Sequence, residues 1–134
     1  MSRENVERLR EAFEGSLRRE PRAGADLLDP DVVWDSTNTQ LFDLDRVYHG
    51  PEGVSQFWRE WLGAWETVEF EYELVDAGDR VVALIDQRMR GRSTDIEVPL
   101  GKYAQVWTFR NGLVVHWKLY DSQSEALAAA GLPG

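Results

Sequence analysis

Asn111-Gly112 stands between two aromatic-rich apolar runs, in the stretch YAQVWTFRNGLVVHWKLY from Tyr103 to Tyr120. Asn-Gly is the strongest short signal for a two-residue hairpin, because both turn residues must take positive φ. With these two as the loop, Arg110 pairs with Leu113. A regular register then sets Phe109 opposite Val114, Trp107 opposite His116, Gln105 opposite Lys118 and Tyr103 opposite Tyr120. Cross-strand partners share a face. The opposite face carries Ala104, Val106, Thr108, Val115, Trp117, Leu119 and Asp121. Neither face is plainly polar, so each is expected to cover something: one the core and any cavity, the other a partner.

The rest of the chain builds toward this hairpin. Residues 2–19 read as an amphipathic helix with Val6, Leu9, Phe13 and Leu17 in one stripe, ended by Pro21. Residues 21–28 suit a short second helix, and Asp29-Pro30-Asp31 breaks the chain. Asp31 to Ser36 reads as a short strand, with Trp34 and Ser36 on one side and Val33 and Asp35 on the other. Thr37 to Gly50 is a loop carrying Asn38, Phe42, Tyr48 and His49. Gly50-Pro51-Glu52 opens a helix whose apolar face, Val54, Phe57, Trp58, Trp61 and Trp65, is unusually bulky.

Val68 to Val75 alternates apolar with acidic residues, as a half-buried antiparallel strand does. Asp76-Ala77-Gly78-Asp79 turns the chain, Arg80 to Arg90 is the next strand, and Ile96 to Arg110 leads into the hairpin. Ser122-Gln123-Ser124-Glu125 is a capping box that starts a short terminal helix stopped by Gly131. Helices followed by consecutive antiparallel strands read as α+β, in a single domain over 1–134.

Composition narrows the chemistry. A net charge of -9 argues against nucleic acid, which needs a basic stripe, and against an anionic membrane surface. There is no cysteine, so disulfides and thiolate chemistry are excluded. With two histidines and no ligand-spaced cluster, no metal is expected, and nothing in the chain suggests another cofactor. No apolar run could span a membrane and no leader precedes the first helix, which points to the cytoplasm. Six tryptophans are the outlier, and they suit either a Trp-rich core or an aromatic-lined pocket.

Four phrases, taken in order, resemble the SnoaL-like branch of the nuclear transport factor 2-like superfamily. They are Tyr48-His49-Gly50-Pro51-Glu52-Gly53-Val54, Asp76-Ala77-Gly78-Asp79-Arg80-Val81-Val82, Gln105 to Gly112, and Glu125-Ala126-Leu127 running to Gly131-Leu132. The resemblance implies a cone: a strongly curved antiparallel sheet wrapped around the N-terminal helices, enclosing an apolar cavity. It implies a homodimer through the outer face of the sheet. It does not imply one activity, since relatives include cyclases, isomerases, dehydratases, epoxide hydrolases and non-catalytic binding or transport modules.

In the cyclase and epoxide hydrolase relatives an acid works in the cavity from the last strand, seven residues past the hairpin glycine. Here that position is Leu119, which cannot transfer a proton. By the same count Trp117 shares its face, so the expected cavity face carries Val106, Thr108, Trp117, Leu119 and Asp121. Asp121 is the candidate general acid or base; alternatively it helps cap the terminal helix. Trp34 and Ser36 fall at cavity positions of the first strand, and Phe57, Trp58, Trp61 and Trp65 suit part of the wall.

Gln87 becomes a neutral polar hook if its side of the strand faces inward. Asp86, after a run of apolar residues, is expected to be buried in an ion pair with Arg88 or Arg90. Asp35 could orient His49. His116 and Lys118 fall outside the cavity. The reading that results is a binder of a small apolar or aromatic molecule. A cofactor-independent acid–base enzyme and a protein-interaction module are the alternatives.

Overall fold

The structure, a computed structural model, describes residues 2–17, 24–37, 46–62, 65–91 and 97–133. Helix α1 (Ser2–Leu17) lays Leu9 and Phe13 on the sheet, while Leu17 at its end is exposed rather than part of the buried stripe. A short 3-10 turn (Ala25–Leu27) leads into β1 (Leu28–Asp35). This strand runs through Pro30, where a break was expected; Pro30 is exposed there. The loop expected from Thr37 to Gly50 contains a short strand, β2 (Val47–His49), which places Tyr48 and His49 on the sheet. Asn38 and Phe42 lie outside the described residues. Helix α2 (Gly50–Leu62) follows, then β3 (Trp65–Ala77), β4 (Arg80–Gly91), β5 (Glu97–Arg110), β6 (Leu113–Tyr120) and α3 (Gln123–Ala129).

The sheet has six strands in the order β2-β1-β6-β5-β4-β3. The expected cone does not form. The sheet is open, with β2 and β3 as unjoined edges, and it is mixed: β1 runs parallel to β6, while the other neighbours are antiparallel. The sheet is neither closed nor strongly curled. The α+β class holds, with helices on both faces.

The hairpin forms at the expected turn. Asn111 takes φ 55° and Gly112 φ 80°, both left-handed, as a tight Asn-Gly loop requires. Arg110 pairs with Leu113 and Phe109 with Val114. Thr108 then pairs with His116, so Val115 is the extra residue of a bulge on β6. Beyond the bulge the register is shifted by one, and Trp107 lies opposite Trp117 instead of His116. Because side chains alternate with a period of two, this single residue moves every later side chain of β6 to the other face of its β5 neighbours.

Trp107, Phe109, Val114, Trp117 and Leu119 therefore share the inner face with Tyr103 and Gln105, and all are buried. Across the strands Val81, Trp107, Trp117, Trp34 and Tyr48 stand side by side, pairing β4 to β5, β6, β1 and β2 in turn. Helices α1 and α2 cover this row with Leu9, Phe13, Val54 and Phe57. On the outer face, Ala126 of α3 packs on Val82, Ala104 and Val106 in a smaller second cluster. Ser122 caps α3 by accepting the amide of Glu125 at 3.2 Å, and Arg80 donates to the Ala129 carbonyl at its far end. No helix among the described residues is long and apolar enough to cross a membrane.

Candidate functional site

The buried row is an aromatic cluster built from every part of the chain. Trp34 and Trp117 stack face to face, with centroids 4.1 Å apart and planes 5° from parallel. Trp107 meets Trp34 edge-on at 5.3 Å, and Phe57 meets Trp34 and Trp117 at 6.2 and 5.5 Å. Trp58, half-buried, closes on Trp34 at 6.1 Å. Phe13 joins from α1, against Trp107, Phe70 and Tyr72. Such pairs are worth about 0.5–1.5 kcal/mol each beyond area burial. The interior is thus a buried, aromatic-rich cluster suited to a small apolar or aromatic molecule.

Within this cluster the Nε1–H groups of both Trp34 and Trp117 are buried with no hydrogen-bond partner among the described residues. An indole N–H can only donate, and leaving one unmet in the interior costs about 1–3 kcal/mol. Trp107 is better served: its Nε1 donates to Gln105 Oε1 at 3.0 Å. Gln87 also faces inward, 4% exposed, and its Oε1 accepts from the Tyr103 hydroxyl at 2.5 Å. Burial pushes the Tyr103 phenol far above its ordinary range, so it stays a neutral donor. Ser36 is fully buried at the end of β1, where its hydroxyl donates to the Arg46 carbonyl at 2.8 Å.

The residues expected in a pocket divide. Trp34, Ser36, Phe57, Gln87, Trp117 and Leu119 are buried and Trp58 is half-buried. The Trp61 and Trp65 side chains lie outside the described residues. Val106 and Thr108 are on the other face from Trp117, Val106 under α3, because the bulge at Val115 shifts the register. Tyr103, Gln105 and Trp107 occupy the inner face in their place. One sequence signal could have shown this. The bulkier side of β5 and the bulkier side of β6 fall on opposite faces in a regular hairpin, and one extra residue brings them together.

Asp121 is exposed, at the bend between β6 and α3. Asp86 is exposed as well, not buried in an ion pair, because its side of β4 is open there. Asp35 does not orient His49, which is exposed on β2 opposite Val33. Instead Asp35 accepts from the Thr37 hydroxyl at 2.6 Å and lies 3.4 Å from Lys118 Nζ. Burial alone would raise the Asp35 carboxyl, but the Thr37 hydrogen bonds and the Lys118 ammonium outweigh it and hold it below its ordinary value.

Among the described residues, two clefts at the surface stand near the sheet. One, about 440 Å³, lies between β2 and α2 and is lined by Tyr48, His49, Glu52, Gln56 and their neighbours. Beside it Glu60 accepts from Gln56, Tyr48 and Arg46, which together lower its carboxyl from the ordinary value. Gly53 keeps α2 close to β2: a Cβ there would stand 3.2 Å from that of Tyr48. The other cleft, about 670 Å³, lies between the first turns of α1 and the two hairpin turns. Neither cleft is lined by Trp34 or Trp117, but Tyr48 and Phe109 each belong both to a cleft wall and to the core cluster.

The element order and this site agree with a sequence match to the SnoaL-like domain over residues 6–117. The chain belongs to the SnoaL-like domain family. Its fold is similar to that of solved NTF2-like proteins. This SnoaL-like domain superposes on an NTF2-like protein of unknown function from Burkholderia pseudomallei K96243 with a TM-score of 0.76, 24% identity, and coverage of 93% of this chain and 95% of that one. TerC co-crystallised with polyporic acid gives 0.71 and 18%, covering 96% and 98%. A protein with a ketosteroid isomerase-like fold from Catenulispora acidiphila DSM 44928, in complex with trimethylamine, gives 0.68 and 20%, covering 99% and 96%. At these identities the likeness is one of fold. No curated protein matches the sequence significantly.

Proposed function

We propose that this SnoaL-like domain binds a small apolar or aromatic molecule at the Trp34–Trp117 cluster, without a cofactor. The observation that carries the proposal is the pair of unmet indole N–H groups inside an otherwise well-packed aromatic interior. Buried donors are normally paired, and a site that keeps two adjacent ones unmet is prepared for an acceptor from outside. The ligand would lie against Trp34, Trp117, Phe57 and Trp58, with Gln87 and Gln105 beside it. The complexes of the TerC and Catenulispora acidiphila proteins support a small-molecule role for folds of this shape.

The proposal includes a homodimer through the outer sheet face. Helix α3 already covers Val82, Ala104 and Val106, which leaves the half-buried Thr108, His116 and Tyr120 for such a contact. A cytoplasmic location goes with it, supported by the lack of cysteine. An interaction module is disfavoured, since Leu17 and Val47 are the large hydrophobics exposed among the described residues and form no broad patch.

The test is calorimetric titration of the purified domain with flat aromatic compounds, repeated on Trp117→Phe. Saturable one-to-one binding that weakens in the variant is expected. Titrations that never saturate with any compound would remove the proposal.

A further inference from the structure

Away from the interior, the cleft of about 670 Å³ between α1 and the two hairpin turns has a wall that the binding proposal does not use. Asn5 sets this wall apart. It stands four residues before Leu9 and eight before Phe13, on the buried stripe of α1, where an apolar residue would suit plain packing. Its side chain is 5% exposed, yet its amide makes no hydrogen bond among the described residues. Buried amides are normally bonded. Neither amide atom is among the buried atoms without a partner, so both reach the open space of the cleft they line.

The same wall carries two exposed carboxylates, Glu4 and Asp79, and neither is in an ion pair among the described residues. Arg8 is the cation of this wall, and its Nη1 is committed to the Gly112 carbonyl at 2.9 Å. Two carboxylates against one guanidinium leave the wall net negative, in a chain of net charge -9. Among the described residues no three His, Cys, Asp or Glu side chains gather to hold a metal ion. Buried Phe109 gives the wall its apolar part.

We propose that this cleft binds a small organic ammonium with a hydroxyl on the neighbouring carbon. An ammonium has three N–H donors, and Glu4, Asp79 and Asn5 Oδ1 supply acceptors for them. The hydroxyl oxygen accepts from Asn5 Nδ2. The two ligand groups sit on adjacent carbons, so one amide meets both. An amine without the hydroxyl leaves the amide N–H unmet. A neutral diol suits the amide but gains nothing from the carboxylate charges. An anion meets two like charges. Neither Trp34 nor Trp117 lines this cleft, so the site is separate from the aromatic cluster.

Four compounds on one ring separate these cases: trans-2-aminocyclohexanol, cyclohexylamine, trans-cyclohexane-1,2-diol and trans-2-hydroxycyclohexanecarboxylate. Each is titrated into nitrogen-labelled protein, following the Asn5 side-chain amide and the backbone amides of Gly78 and Gly112. The amino alcohol is expected to shift these resonances saturably while the Trp34 and Trp117 indoles stay fixed. Its Kd is expected to lie about tenfold below that of any other compound, the size of one charge-assisted hydrogen bond. Asp79→Asn, at an exposed turn, is expected to narrow the preference over the diol. Asn5→Leu, which keeps the bulk and removes the amide, is expected to narrow the preference over cyclohexylamine.

Equal affinity for the amino alcohol and cyclohexylamine would overturn the part given to Asn5 and the hydroxyl. Tighter binding of the diol or the hydroxy acid would overturn the ligand class. Shifts at the indoles instead of the cleft, or no saturation with any of the four, would overturn the site and leave the aromatic-binding proposal standing.

Discussion

At the scale of single residues, the unmet Trp34 and Trp117 donors are the feature that ordinary packing does not explain. A core selected for stability alone would carry Phe there. Trp117→Phe is therefore expected to leave urea stability within about 1 kcal/mol of wild type, since the cavity cost of a smaller ring is offset by removing an unmet donor. Phe57, fully buried beneath the stack, should behave differently. Phe57→Ala is expected to cost about 3–5 kcal/mol in the same measurement, through the cavity it opens. Asp121 is exposed beyond the last strand, so Asp121→Asn should leave ligand affinity unchanged.

Parity explains which of these residues could be read from the sequence. Gln87 shares a side with Ile85, and that side does face the core. Asp86 looked buried because apolar residues precede it, yet the cluster under α3 takes in Val82 and Leu84 on the outer side of β4, and Asp86 beyond them is exposed. What covers a sheet face is a matter of tertiary structure, which one strand's pattern does not show.

Among the elements, the hairpin, the capping box at Ser122 and the alternating strand around Phe70 were all legible, because each depends on local chemistry: positive φ, a side-chain cap, a period of two. The parallel pairing of β1 with β6 was not, since the partners are some 80 residues apart and a parallel register leaves no local signature. The bulge at Val115 has no motif either. It was detectable only through the mismatch of bulky sides on the two arms. That bulge decides the site: with Val115 paired in a regular register, Trp107 would face His116, and Trp117 and Leu119 would turn to the outer face. Deleting Val115 keeps Trp117 opposite Trp107 and is expected to retain cooperative thermal unfolding by circular dichroism, whereas inserting one residue after Val115 shifts the rest of β6 by one and is expected to abolish it. An insertion protein as stable as wild type would show that this register does not set the face.

For the whole molecule, two groups give stability an acid and an alkaline limb. The Asp35 carboxyl is held below its ordinary value in the folded state, so the unfolded chain binds more protons as pH drops. Its contribution is complete above about pH 4 and is lost as pH falls through the folded value. Asp35→Asn is expected to flatten that limb of a stability-against-pH curve. Tyr103 runs the other way. Its phenol is raised by burial, so its share is complete below about pH 10 and is lost as pH rises beyond it. Tyr103→Phe should soften the alkaline limb.

A ligand held only by the folded state raises stability by mass action, about 2.7 kcal/mol at a hundredfold excess over Kd. For a chain of this size that is a rise in melting temperature of roughly 10 °C.

The most direct measurement follows the indole N–H groups themselves. In nitrogen-labelled protein each tryptophan gives one indole resonance, and Trp34→Phe and Trp117→Phe assign the two that matter. Titration with 9-fluorenone should shift these two resonances downfield in a saturable way as they gain an acceptor, with the Trp107 indole, which already donates to Gln105, moving little. Resonances of Trp34 and Trp117 that stay fixed while the ligand binds elsewhere, or while nothing binds, would contradict a functional site at the stacked pair.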